Sequence, residues 1–432
     1  MQISVESGEG LERRMRVDLA PEVVEQEIEK RLRDFARTAR LPGFRPGKVP
    51  IKILRRRFGR QFYREVVGEF VESSFQEALE KEGLRAAGVP QIEPHIEPET
   101  KTYGYTATFE ILPHFTLGSL EGKVLKEPEV EISESDVDAL IERLREQNKR
   151  FEPVERPAQD GDQVTLSFSG TMEGKPFEGG SGEGVSLVLG SGRMIPGFES
   201  GLLGMQAGEE RTLDLQFPED YQAEHLRGKP VQFRVTLQSV AQPVLPEVDG
   251  EFAKQYGIED GDLDHFRQDV RENMERELRQ RIEARIKKQA MDLLLEANPI
   301  ELPKVLVEQE IQSLKQQMQQ QMGKQSPSFQ LPDQLFEGEA KRRVALGLIV
   351  AEVIRANGIE VDEARVKTTV EDLAASYENP QAVVDYYYKN REQMDSVRSL
   401  TLENQVVDWV KTQVTLEAEP STFEAITRGS SS

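Results

Sequence analysis

Cysteine is absent from the 432 residues, which removes disulfides, thiolate zinc sites and thiol nucleophiles together. The four histidines, His95, His114, His225 and His265, are scattered and form no His-Glu-x-x-His or mixed ligand set. No Gly-x-Ser-x-Gly elbow occurs, and the glycines around 179–184 lack the preceding parallel strand unit of a dinucleotide site. Hydrolytic, metal-dependent and redox enzymes therefore fall away, and no cofactor or metal is expected. No apolar run approaches the roughly 18 residues that span a bilayer, so no membrane partner is expected either. The first six residues, Met1-Gln2-Ile3-Ser4-Val5-Glu6, lack the basic and apolar regions of a signal peptide, which sets the expectation of a cytoplasmic protein.

What is present is charge. Charged residues make up 31% and hydrophobic residues 37%, the net charge is −22, and the mean hydropathy is −0.56. A chain of this length suggests about three domains, and such composition favours several small cores and much exposed surface over one large core. Against the acidic background, residues 30–60 carry twelve basic residues and one acid, Asp34, a local charge of +11. A charge run is usually a solvated helical face. Here it surrounds Gly43-Phe44-Arg45-Pro46-Gly47-Lys48-Val49-Pro50, where two glycines and two prolines force a tight loop between helical stretches. Phe44 and Arg45 stand at its tip, where an aromatic beside a fixed cation suits gripping a partner. A phosphate-binding loop is excluded, because three residues rather than four separate the glycines and Val49 follows Lys48.

In chain order, Met15, Val17 and Leu19 alternate as a strand, and Pro21 opens a helix carrying Val24, Ile28, Leu32, Phe35 and Ala39. A second helix is predicted from Ile51 to Glu82, and Tyr103, Tyr105, Ala107, Phe109 and Ile111 alternate as a strand. Residues 114–150 read as an ordered connector, an extended piece over 124–132 followed by a helix on Val137, Leu140, Ile141 and Leu144 with Ser133 and Asp136 as a capping box. From Asp160 the period turns to two, in runs at 164–168, 185–189, 213–217 and 231–237, with one short helix around 197–205. That pattern predicts a curved sheet or half-barrel wrapped on one helix.

From about Val248 onward the signal is helical. Asp260-x-Asp262-x-Asp264 imitates a calcium loop, but His265 stands where glycine is needed, so the acids read as helix starters. A long charged helix to Ala297, a Gln/Met-rich helix over 304–322, and helices over 333–356, 362–377, 380–390 and 392–416 are expected, with 344–354 as a buried centre. Met318 and Met322 among glutamines fit either an adaptable client surface or ordinary helix packing.

Two resemblances follow from the residues quoted. The Gly43-Phe44-Arg45-x-Gly47-Lys48-x-Pro50 stretch resembles the ribosome-binding signature of the bacterial trigger factor family. It implies contacts from Phe44, Arg45 and Pro46, with Lys48 supporting and Gly43 and Gly47 shaping the loop, to a protein at the tunnel exit of the large ribosomal subunit and to adjacent RNA. Pro46 departs from a position often basic in that family. The second stretch comprises Val164-x-x-x-Phe168-x-Gly170, Phe177-Glu178, Leu189-Gly190, Met194-Ile195-Pro196-Gly197-Phe198, Gly201-Leu202, Met205, Gly208 and Pro218-x-x-Tyr221. It resembles the FK506-binding class of peptidyl-prolyl isomerases. That resemblance implies a proline pocket at Phe168, Phe177, Ile195, Phe198, Tyr221 and Phe233, with Glu178 in place of the usual Asp. The departures are a longer 179–184 insert and Ala223 near an expected tyrosine.

The combined expectation is an α+β multidomain chain. It has a small α/β ribosome-docking domain (1–113), a connector (114–150), an FK506-binding-type half-barrel with one helix (151–245), and an all-helical arm domain (246–432). The implied activity is ATP-independent binding of nascent and unfolded polypeptides with isomerisation of prolyl bonds. Dimerisation of the free chain stays open. The competing readings are a free envelope-type chaperone-isomerase, which predicts a signal peptide and no basic loop, and a peptide-binding module with an inactive isomerase domain.

Overall fold

Alternating burial along residues 2–18 builds the first hairpin, β1 (Gln2–Ser7) and β2 (Glu12–Asp18), whose Met15 and Val17 are fully buried. The computed structural model describes the chain except residues 40, 43, 45–48, 323–331, 376, 378 and 429–432. Two units result: Met1–Glu127 with Glu283–Glu419, and Pro128–Ile282 with Pro420–Ser432.

In the first unit, α1 (Pro21–Thr38) and α2 (Ile51–Glu82) lie on one face of an antiparallel sheet ordered β1-β2-β4-β3. Here β3 is Ala86–Glu97 and β4 is Thr102–Ile111. Pro21 fixes the first helical turn, and Gly83, at φ +64°, ends α2 in the left-handed conformation that glycine adopts without strain. The helices lock through Phe35, whose ring meets Phe58 and Phe62 edge-on at 5.3 and 5.5 Å. The sequence reading assigned no strand to β1 or β3. The latter contains Gly88, Pro90 and Pro94, residues that argue against a strand, and tolerates them because it is an edge strand with a bulge between Ala87 and Gln91.

Then come β5 (Val124–Glu129), α3 (Glu134–Gln147), β6 (Arg150–Pro153), β7 (Gln163–Met172), β8 (Lys175–Val188), α4 (Phe198–Leu202), β9 (Glu210–Gln216) and β10 (Pro230–Val244). Ser133 and Asp136 form the expected capping box on α3. In the second unit β10 is the spine: it pairs with β7 along one edge and with β9 and β6 along the other, and β8 closes the β7 side. The expected insert 179–184 is part of β8, with Gly182 opposite Phe168 and Ser181 opposite Ser169. α5 (Gly250–Gln255) and the start of α6 (Leu263–Ala297) pack with α3 through Phe252, Phe266 and Val137. Asp262 caps α6, its Oδ1 accepting from the N–H groups of Asp264 (2.8 Å) and His265 (3.0 Å), which explains the acidic run without a metal.

The remaining helices are α7 (Lys304–Met322), α8 (Gln334–Asn357), α9 (Glu363–Ala374), α10 (Pro380–Lys389) and α11 (Arg391–Gln413). They belong to the first unit, where the buried Asn298 accepts the Gly118 N–H (2.7 Å) and donates to the Leu294 carbonyl. Three expectations need correction. Helix α9 stops at Ala374. The stretch 344–354 is mostly half-buried, with only Ile349 and Val353 fully enclosed. The chain expected to be helical to 416 turns at Val414 into β11 (Thr415–Pro420), which pairs with β5 before α12 (Phe423–Arg428). Nearly all of β11 is exposed, so no burial period marks it; pairing alone makes it a strand.

One carboxylate ties the helical hairpin to the sheet. Glu25 of α1 accepts from Arg55 (3.0 Å) and Tyr63 Oη (2.9 Å) of α2 and from Tyr103 Oη of β4, and the two tyrosine rings stack at 5.3 Å. Burial works against its charge, yet the two phenols and the guanidinium hold its carboxyl below the usual range. Glu25→Ala should lower the opening free energy of α1 amides, read by hydrogen exchange at neutral pH, by about 1–3 kcal/mol, because two phenols lose their acceptor. A folded-state pKa that is lowered means the contribution is complete above the ordinary carboxylate range and lost as pH falls through the folded value. The gap between parent and variant therefore closes on acidification; equal protection at neutral pH would remove the clamp.

Candidate functional site

The curved sheet leaves a cavity of about 460 Å³ beside α4. All seven residues singled out from sequence line it: Phe168 from β7, Phe177 and Glu178 from β8, Ile195 from the segment before α4, Phe198 from α4, Tyr221, and Phe233 from β10. Phe198 and Phe233 are 2% and 6% exposed, so the floor belongs to the hydrophobic core. The rings meet edge-on: Phe198 to Phe233 at 5.4 Å, Phe168 to each of them at 5.8 Å, and Phe177 to Phe233 at 6.3 Å.

Glycine makes this packing fit. A Cβ on Gly170 would stand 2.6 Å from the Phe233 ring, on Gly180 2.8 Å from Phe177, and on Gly182 2.8 Å from Phe168. The glycine-rich part of β8 is thus the surface against which the aromatic walls close.

Phe217 lines the cavity as well, packing against Phe177 at 6.0 Å and Tyr221 at 4.7 Å. Sequence reasoning placed it only in an apolar alternation, Leu213-Leu215-Phe217, which does not distinguish a core ring from a pocket ring. Ala223 lines the wall where a tyrosine was expected, and His225 stands nearby on the same wall. Glu178 is an exposed rim residue with no hydrogen-bond partner among the described residues. The carboxylate that takes backbone donors here is Glu199, which the sequence reading passed over.

The second candidate lies at the α1–α2 turn. Phe44 is 38% exposed, and its N–H donates to the Leu41 carbonyl at 3.1 Å. Gly43, Arg45, Pro46, Gly47 and Lys48 lie outside the described residues. Buried Val49 anchors the chain where α2 begins. The surrounding charge is less one-sided than the window 30–60 suggested: Lys30 and Arg31 pair with Glu27, Arg33 with Glu29, and Arg55 with Glu25. Lys52, Arg56, Arg57 and Arg60 have no ion-pair partner among the described residues and stand exposed along α2. Among those residues no group of three His, Asp or Glu is placed to hold a metal, and no helix is long and apolar enough to cross a membrane.

In the helical region Met318 is 39% exposed, and the side chain of Met322 lies outside the described residues. The larger exposed aromatics are Tyr377, Tyr386 and Tyr388 around α10, which sequence reasoning did not select.

Comparison with known proteins covers both candidates. The family model described as bacterial trigger factor protein matches residues 1–144, that of its C-terminus matches 262–412, and that of FKBP-type peptidyl-prolyl cis-trans isomerase matches 154–238. Curated trigger factors from Pseudomonas paraeruginosa and Stutzerimonas stutzeri are 48% and 47% identical over 98% of this chain and 97% of their own. That of Thioalkalivibrio sulfidiphilus is 46% identical over 99% of this chain and 98% of its own. A solved trigger factor chaperone chain overlays on 95% of this chain and 99% of its own with a TM-score of 0.49 at 20% identity. With identity near one half along almost its whole length, the chain belongs to the bacterial trigger factor family, chaperones acting on unfolded polypeptides, and carries the family's FKBP-type peptidyl-prolyl cis-trans isomerase domain.

Proposed function

We propose that this chaperone docks at the exit of the large ribosomal subunit through the Phe44 loop, holds apolar segments of emerging chains without ATP, and isomerises their prolyl bonds in the aromatic cavity. The observation that carries the isomerase part is the convergence of Phe168, Phe177, Ile195, Phe198, Tyr221 and Phe233 on one cavity. The barrier of about 18–20 kcal/mol comes from amide resonance, so no bond is cut and neither nucleophile nor metal is required. A dry aromatic surface weakens the solvation that favours the planar, charge-separated amide and binds the twisted form better, which is the differential binding that accelerates the step. Phe198 forms the floor under the proline ring, Phe168 and Phe233 the walls, and Phe177 and Tyr221 the mouth. Glu178 at the rim acts on the flanking peptide.

Docking rests on two features, the exposed Phe44 and the α2 cations that have no ion-pair partner among the described residues, which suit a protein contact and an anionic RNA edge. Arg45, Pro46 and Lys48, with Gly43 and Gly47, are the other residues assigned to this contact from the sequence. The work divides among a docking domain at 1–113, a connector at 114–150, the isomerase at 151–245 and the helical chaperone region at 246–432, in a protein of the cytoplasm.

Two measurements test the halves separately. Isomerisation of a proline tetrapeptide should slow about tenfold or more in Phe177→Ala and in the smaller, still apolar Phe198→Leu, with the fold retained by circular dichroism. Parental rates in both would detach the activity from this cavity. Co-sedimentation with bacterial ribosomes should weaken steadily as salt rises and be lost when Phe44→Ala and Arg45→Ala are combined. Equal pelleting of parent and variant would instead favour a free chaperone-isomerase.

A further inference from the structure

The part of the cavity wall formed by Arg193, Met194, Ile195 and Pro196 belongs to no helix or strand. It is the connection 190–197, in which Gly190, Gly192 and Gly197 stand at φ +86°, +67° and +91°. Three left-handed glycines in so short a stretch give the chain many alternative courses, and ordering them is entropically costly. The ring-to-ring contacts do not order it, since they run among Phe168, Phe177, Phe198, Phe217, Tyr221 and Phe233, all outside this connection.

The side chains of Met194 and Ile195 pack against the core, and the glycine-rich backbone itself is held by Glu199, on the first turn of α4. Its Oε2 accepts the Gly192 N–H at 3.1 Å, and its Oε1 accepts the Met194 N–H at 3.1 Å and the Ser191 hydroxyl at 3.3 Å. Burial opposes the charge, but the N–H groups of Gly192, Met194, Arg193 and Gly190 outweigh it and hold the carboxyl below the usual range, so the acceptor is ionised at neutral pH. Bonds to an ionised acceptor are roughly twice as strong as neutral ones. Glu199 does not line the cavity. It lines a smaller recess of about 280 Å³ that shares Met194, Ile195 and Pro196 with it.

We infer that Glu199 is a positioning residue for the isomerase: by gathering the backbone of 191–194 onto one carboxylate it fixes the Met194-Ile195-Pro196 wall against which the twisted amide forms, without touching substrate. The inference rests on the assignment of the cavity as the prolyl site. Loss of the carboxylate loosens one wall while the aromatic floor still binds proline, so the rate of the bound step falls more than binding does.

The test uses the full chain with Glu199→Gln and Glu199→Asp on a proline tetrapeptide. In Glu199→Gln, kcat should fall about tenfold with KM changed by less than about twofold, and exchange of the Gly192 and Met194 amides should quicken by a similar factor. Glu199→Asp, which keeps the charge on a shorter arm, should lie between. Parental kcat in Glu199→Gln, or a lost rate with unchanged exchange at those two amides, overturns the positioning role. Should Glu199→Gln fail to fold, the folded Glu199→Asp decides: a reduced kcat with faster exchange supports the role, and parental values of both overturn it. Slow turnover in Phe177→Ala together with parental turnover in Glu199→Gln rejects only this inference. Parental turnover in Phe177→Ala and Phe198→Leu rejects the cavity assignment beneath it.

Discussion

Aromatic rings pressed against bare glycine backbone are the constraint on which the isomerase domain depends. Phe233 reaches across to Gly170, Phe177 folds over Gly180, and Phe168 covers Gly182, each at a distance that leaves no room for a Cβ. The same rings are core and cavity wall, so the domain cannot bury its apolar surface without creating the pocket. A cavity built from rings in mutual edge contact has few alternative packings, so its shape is set by the same contacts that hold the core.

Much of this was legible in the sequence, and the reasons are specific. Alternation marked β7 and β10 and a short helical stretch marked α4, while the Met194-Ile195-Pro196-Gly197-Phe198 run stood out through its resemblance to the FK506-binding class. The missing pieces depend on non-local partners. Strand β3 holds its prolines only because it lies at an edge, and β11 is a strand only because β5 is there to pair with. Glu199 reads as any acid on a short helix until the glycine connection is seen to fold back upon it. Phe217 sits in an alternation that a core alone would also produce.

Charge shows the same limit. The window 30–60 is strongly basic in one dimension, but Glu27 and Glu29 lie just upstream and pair with Lys30, Arg31 and Arg33 one turn along α1, while Glu25 pairs with Arg55 across to α2. Several of the cations are therefore matched by carboxylates of α1, and Arg55 joins α2 to α1. Among the described residues, the cations without an ion-pair partner are narrower in extent: Lys52, Arg56, Arg57 and Arg60, exposed along α2. A short row of exposed cations is a narrower electrostatic feature than the diffuse field that the linear count suggests.

Glu25 and Glu199 then use one physical device on two separate units. Each is a carboxylate taken partly out of water and kept ionised by donors from other stretches of chain: two tyrosines and an arginine around Glu25, main-chain N–H groups around Glu199. In each case desolvation works against the charge and the gathered donors exceed it, so the ionised form holds the donors in place as firmly as they hold the charge. Both folded-state pKa values are lowered. The two contributions are therefore complete above the ordinary carboxylate range and are lost as pH falls through the folded values. In this protein a half-buried charge gathers donors from separate stretches of chain, joining a helical hairpin to its sheet in one unit and holding a glycine-rich connection in the other.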